Sequence, residues 1–158
     1  IEKPCQIWWK IRPHIDYGTV EFRICDAQRS LRNLELLVAL SQALVHQSVE
    51  DYNNDVLLES FNMEYLYDGL WKASRFPLSA KIIDPETCEI TTMQDQIKKM
   101  IQYVSDSLVY FNTEHVLNRI NNIFYDGTEA DDQIKVYKEI GLEGLKKYLM
   151  KNTEFQIN

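Results

Sequence analysis

Cysteine is scarce and scattered in this chain: Cys5, Cys25 and Cys88 are odd in number and form no Cys-x-x-Cys pair. That excludes a disulfide framework and the usual zinc spacings. Reduced thiols suit a cytoplasmic location, which is the expected compartment. No apolar run approaches the ~18 residues that a membrane span requires, and the start lacks the charged and apolar stretches of a signal peptide, so no membrane partner is expected. A dense basic stripe is missing too. With 17 Lys and Arg against 24 Asp and Glu, the formal charge is −7, which argues against nucleic acid as a partner. The chain contains no repeat, linker or low-complexity segment.

What is present is the make-up of one globular domain. Of 158 residues, 45% are hydrophobic and 26% charged, enough to bury a core. The chain opens Ile1-Glu2-Lys3-Pro4 without a Met and runs straight into a strand pattern; residues 1–158 are expected to be a single domain and a piece of a longer protein.

Two alternating segments, Ile7 to Arg12 and Thr19 to Ile24, flank a polar loop. Strand side chains alternate sides, so Thr19, Glu21 and Arg23 share a face opposite Val20, Phe22 and Ile24. Trp8, Lys10 and Arg12 divide likewise from Ile7, Trp9 and Ile11. A loop from Pro13 to Gly18 would set Arg12 opposite Thr19, Lys10 opposite Glu21 and Trp8 opposite Arg23. Either as a solvated face or as a site, this side gathers Arg12, Glu21 and Arg23. A carboxylate can hold a divalent cation while guanidinium groups grip phosphate or carboxylate.

The rest reads as helical. Ser30 is the expected N-cap, through its hydroxyl, of a heavily buried helix carrying Leu34, Leu37, Val38, Ser41, Leu44 and Val45. Asp51 to Asp55 reads as a polar loop, followed by a helical stretch from Val56 to Arg75 that Gly69 can break near Tyr67 and Pro77 ends. Ala80 to Asp84 and Glu89 to Thr91 form a short hairpin around Pro85 to Cys88. Helices follow from Thr92, with Thr113 a cap, a break at Asp126-Gly127-Thr128, and Gly141 separating a last amphipathic helix. The fold class expected is α+β, antiparallel strands followed by a mostly helical body. Two strands alone do not make a stable sheet, so more are required.

Ile7-Trp8-Trp9-Lys10-Ile11-Arg12-Pro13, then Gly18 to Asp26 with the apolar helix behind them, resembles the second half of the carboxylate-amine ligases related to bacterial type 2 glutamate–cysteine ligase. Trp71-Lys72-Ala73-Ser74-Arg75-Phe76 resembles that family's Trp-x-Ala-x-Arg-aromatic segment, and Ile83-Asp84-Pro85 its following turn. Ala130 to Gln133 with Val136-Tyr137 resembles its C-terminal helix start. The chain differs in carrying Gly69-Leu70 where Asn-Arg is usual, and Asp132 where Arg is frequent. A wider resemblance, of Arg12, Glu21 and Arg23 before an apolar helix, is to glutamine synthetase, so the strands are expected to belong to a glutamine synthetase-like sheet.

The resemblance implies an enzyme that uses ATP to phosphorylate a carboxylate, glutamate in the namesake, for attack by an amine. Its cofactors would be ATP and Mg2+, and its partners small-molecule acid and amine substrates, with the missing N-terminal half or a second copy completing the site. By the same likeness Glu21 would ligate the metal, and Arg12 and Arg23 would act in catalysis and contact the nucleotide's phosphate. Arg75 would add a weaker nucleotide or substrate contact, and Trp8 could stack on Arg23. The competing expectation is a non-catalytic, divergent domain that binds a protein partner through its open strand edge. For the remaining groups structural roles are expected: surface or structural for His14, His46 and His115, packing for Cys25, capping of a turn for Asp26, and placement at the positive end of a helix dipole for Asp131 and Asp132.

Overall fold

The computed structural model describes residues 10–56, 61–76 and 78–151. Their order is β1 (Ile11–His14), β2 (Thr19–Phe22), α1 (Leu31–Asn53), α2 (Met63–Arg75), β3 (Lys81–Ile83), β4 (Ile90–Thr92), α3 (Met93–Tyr103), α4 (Ser105–Tyr110), a 3-10 turn (Glu114–Val116), α5 (Leu117–Asp126) and α6 (Glu129–Lys151). The class is α+β. Among the described residues the strands form two separate antiparallel pairs, β1 with β2 and β3 with β4, and no wider sheet.

The first hairpin corrects the expected register by two residues. Arg12 pairs with Glu21, Pro13 with Val20 and His14 with Thr19. The connection shrinks to Ile15–Gly18 because Gly18 takes φ +60 and its N–H reaches the Ile15 carbonyl at 3.3 Å, closing the turn in four residues. Pro13 is tolerated in β1 because, among the described residues, that strand has one neighbour and an open edge. A shift of two preserves parity, so Arg12, Glu21 and Arg23 still share a face. The Arg23 N–H to Lys10 carbonyl bond, 2.8 Å, carries the ladder one step past β2. The expected strand positions of Ile7, Trp8 and Trp9 and the helix end at Pro77 lie outside the described residues.

Helix α1 is less buried than its composition predicts. Leu36, Ala39 and Ala43 are buried, whereas Leu34, Val38, Val45 and Val49 are exposed, because the core lies along one stripe only. Ala39 and Ala43, four apart, let other helices approach closely, and Val104, Leu108, Val116 and Ile120 close over them. The helix runs on through the expected polar loop to Asn53 before Asp55 turns with φ +55. Ser30 is its N-cap residue, yet the hydroxyl makes no capping bond; the Ser30 carbonyl instead accepts from the Leu34 N–H at 3.0 Å.

Helix α2 starts later than expected, where Asn62 Oδ1 accepts from the Glu64 N–H at 2.8 Å, and it passes through Gly69 unbroken. Gly69 is buried against Ile82 of β3, so its missing side chain serves a close helix-to-strand contact. Thr92 caps α3, its hydroxyl oxygen accepting from the Asp95 N–H at 3.1 Å. Thr113 makes no side-chain cap and its hydroxyl donates back to the Leu108 carbonyl at 3.3 Å. Gly127 ends α5 at φ +96, and Gly141, at φ +71 and ψ −167, splits α6 as its position in the pattern predicts.

Candidate functional site

The paired strands present three charges on one face. Glu21 Oε2 accepts from Arg12 Nε at 2.9 Å and from an Arg12 terminal nitrogen at 2.5 Å, and Glu21 Oε1 accepts from Arg23 at 3.2 Å. Direct cross-strand pairing places Arg12 over Glu21, while two-residue spacing along β2 brings in Arg23. The arginine side chains are largely covered, 12% and 24% exposed, and Glu21 is the more open at 41%. Among the described residues, two guanidinium groups around one carboxylate make this cluster net positive inside a chain that is negative overall. Such a face suits a phosphate or carboxylate, because guanidinium forks match the oxygens of either.

Arg75 is not brought into this cluster by any ion pair or hydrogen bond to it. It ends α2, exposed, with its guanidinium 5.6 Å from the Phe76 ring centroid. Among the described residues no three His, Cys, Asp or Glu side chains gather as a metal cage. Among the described residues of the arginine face, Glu21 is the one carboxylate. That donor set does not fit a cation held by protein ligands only, but it fits a magnesium shared between one carboxylate and phosphate oxygens, the way this ion is usually bound.

Beneath the charged face, Ile11, Val20 and Phe22 look across a cleft of about 410 Å³ toward Leu44, Val45, Val49 and Tyr52 of α1. The hairpin therefore stands over the C-terminal half of α1 without sealing against it. His14 meets the Tyr17 ring at a tilt of 37° with centroids 4.5 Å apart, a role within the hairpin. Cys25 does not pack as expected; it lies exposed past the end of β2, where the alternation that would have covered it has stopped. Neither Asp131 nor Asp132 approaches this face through any bond. Asp131 caps α6: its carboxylate accepts from the Thr128 N–H at 2.8 Å and hydroxyl at 2.7 Å, bonds that hold its carboxyl below the ordinary range.

A second polar cluster was not singled out by the sequence. Asp84, 7% exposed, accepts from the Glu86 and Thr87 N–H groups at 2.8 and 3.3 Å, from Gln96 at 2.7 Å and from Lys99 at 3.1 Å. Lys99 also pairs with Glu86. Burial pushes the Asp84 carboxyl up, but these donors outweigh it and take its pKa down to about 2. The signal available was the Asp-Pro turn together with Gln96 and Lys99 three apart on one helical face. His46 and Ser107 likewise meet at 2.9 Å, with His46 stacked on Tyr110; Ser107 is 1% exposed, so this pair is a link between α1 and α4. Arg29, ahead of α1, pairs with Glu129 and covers the Tyr148 ring at 4.5 Å, tying the first helix to the last.

No described helix is long and apolar enough to cross a membrane. Comparison with known proteins gives a consistent result. Residues 2–151 match the model of glutamate-cysteine ligase family 2. A protein of Sorangium cellulosum named "Putative glutamate--cysteine ligase 2" is 31% identical over 137 residues, 87% of this chain and 36% of that protein. Proteins of the same name from Solibacter usitatus and Gloeobacter violaceus are 28% and 31% identical, over 98% and 85% of this chain and 40% and 36% of their own length. The chain thus spans well under half the length of these relatives. By the near-complete extent of the family match, the chain belongs to glutamate-cysteine ligase family 2.

Proposed function

We propose that this chain is part of the catalytic domain of an ATP-dependent, amide-forming carboxylate-amine ligase, with Arg12, Glu21 and Arg23 on the side of its site that handles phosphate and metal. The observation that carries the reading is the three-residue cluster itself, two guanidinium groups closed on one carboxylate across a strand pair, in a chain whose relatives are named as ligases. In this reading ATP, bound with Mg2+, supplies the phosphoryl group that turns the acid into an acyl phosphate. Phosphoryl transfer asks mainly for positioning and charge neutralisation. Arg12 and Arg23 provide both, because the strand pairing fixes them before substrate arrives and less reorganisation is then needed. Glu21 contributes one oxygen ligand to the cation. Arg75 contacts nucleotide or substrate from outside the cluster.

The acid is a small carboxylate of the glutamate class and the partner substrate an amine. Remaining ligands come from polypeptide beyond this segment or from a second copy, and the compartment is the cytoplasm. The experiment is hydroxylamine trapping in the full-length protein that carries this segment. With ATP, Mg2+ and glutamate, an acyl hydroxamate should form in step with ADP; ADP without hydroxamate would show that no carboxylate is activated.

A second reading is favoured by one observation. Ile11, Val20 and Ile24 are about half exposed on the hairpin, as is Val49 on α1, an apolar surface suited to packing against further polypeptide. A non-catalytic domain would keep that surface and show no nucleotide turnover that depends on Glu21.

A further inference from the structure

Both oxygens that Glu21 could offer to a cation are already held by guanidinium groups, Oε2 by Arg12 and Oε1 by Arg23. The same guanidinium groups are the ones an incoming anion would use. Arg12 is paired directly opposite Glu21 and Arg23 lies two residues along on the same side, so strand geometry sets the carboxylate within reach of both guanidinium groups.

We propose that Glu21 is a built-in competitor at this site, occupying the arginines until an anion displaces it and a cation takes up the displaced carboxylate. The inference rests on the ligase reading of the cluster and adds how its two ligands are coupled. An anion alone must break two ion pairs, and a cation alone must strip Glu21 from two guanidinium groups. When both arrive, each removes the other's competitor. By linkage the two affinities rise by the same factor. The hairpin therefore discriminates against free phosphate or free cation and favours the pair, the form presented by a nucleoside triphosphate complexed with magnesium. A carboxylate kept only for holding the strands together would couple nothing.

The test uses the full-length protein that carries this segment, with inorganic phosphate and magnesium chloride as probes and the guanidinium nitrogen signals of Arg12 and Arg23 as the readout. Glu21→Gln should bind phosphate at least fivefold more tightly than the wild type, while Glu50→Gln, an exposed carboxylate on α1, should bind as the wild type does. Magnesium should tighten phosphate binding to the wild type at least threefold, after correction for magnesium phosphate in solution, and leave Glu21→Gln unchanged. The magnesium arm on the wild type needs no variant, so misfolding of Glu21→Gln would not protect the proposal. Equal phosphate affinity in wild type and Glu21→Gln, or no magnesium effect, would overturn the competitor role and leave the arginine assignment standing. Absence of phosphate binding in both proteins would overturn the two together.

Discussion

Asp84 is the residue whose removal the structure prices most clearly. Its carboxylate ends β3, accepts from two N–H groups of the β3–β4 turn and clamps that turn to α3 through Gln96 and Lys99. In Asp84→Asn the remaining oxygen can keep the turn bonds, but the new amide meets the Gln96 and Lys99 donors head-on. A folded-state pKa of about 2 against the ordinary 3.8 corresponds to about 2 kcal/mol of stability at neutral pH, in line with losing a charged hydrogen bond at a largely buried acceptor. The sign follows from a depressed carboxyl: the contribution is complete above the unfolded value and drains away as pH falls from 3.8 toward 2, with about half left near pH 3. Urea unfolding followed by circular dichroism at pH 7, 5 and 3 should give a gap between wild type and Asp84→Asn of about 2 kcal/mol at the first two and a narrower one at the third. A gap under about 0.5 kcal/mol at pH 7, or one that does not narrow at pH 3, would refute the account of this cluster.

Leu108→Ala should cost about 3 kcal/mol, since Leu108 is fully buried among Ala43, Val104 and Val116 and the cavity cannot collapse against a helix already lined with alanine; thermal unfolding should drop by about 9 °C. Gly127→Ala should cost about 2 kcal/mol, because φ +96 with ψ −177 is closed to other residues and the new Cβ would stand 3.2 Å from Asp131 Oδ2. An unchanged urea midpoint for Gly127→Ala would contradict that reasoning.

How much of this was legible in the sequence depends on whether parity or distance decides. The charged face of the first hairpin followed from parity, and it survived a two-residue error in register because period-two alternation is blind to such a shift. Helix positions followed from spacing, and Gly127 and Gly141 marked real breaks through positive φ. Gly69 did not, since a glycine pressed against Ile82 looks in sequence like one that interrupts a helix. The exposed side of α1 was hidden too, because an apolar surface in sequence does not say what covers it. Asp84 with Lys99, and Arg29 with Glu129, are separated by 15 and 100 residues, and no local pattern reports such pairs. The fit of Arg75 to the family segment was visible, whereas its place apart from the cluster required the fold.

The central claim is that Glu21, held between Arg12 and Arg23, belongs to the machinery of an ATP-dependent ligase. Its most direct test is magnesium-dependent ADP formation by the full-length protein carrying Glu21→Ala, with circular dichroism run alongside to establish that the variant is folded. The account predicts a folded protein whose acid-dependent ADP formation is lost; a folded variant that turns over ATP at the wild-type rate would contradict it.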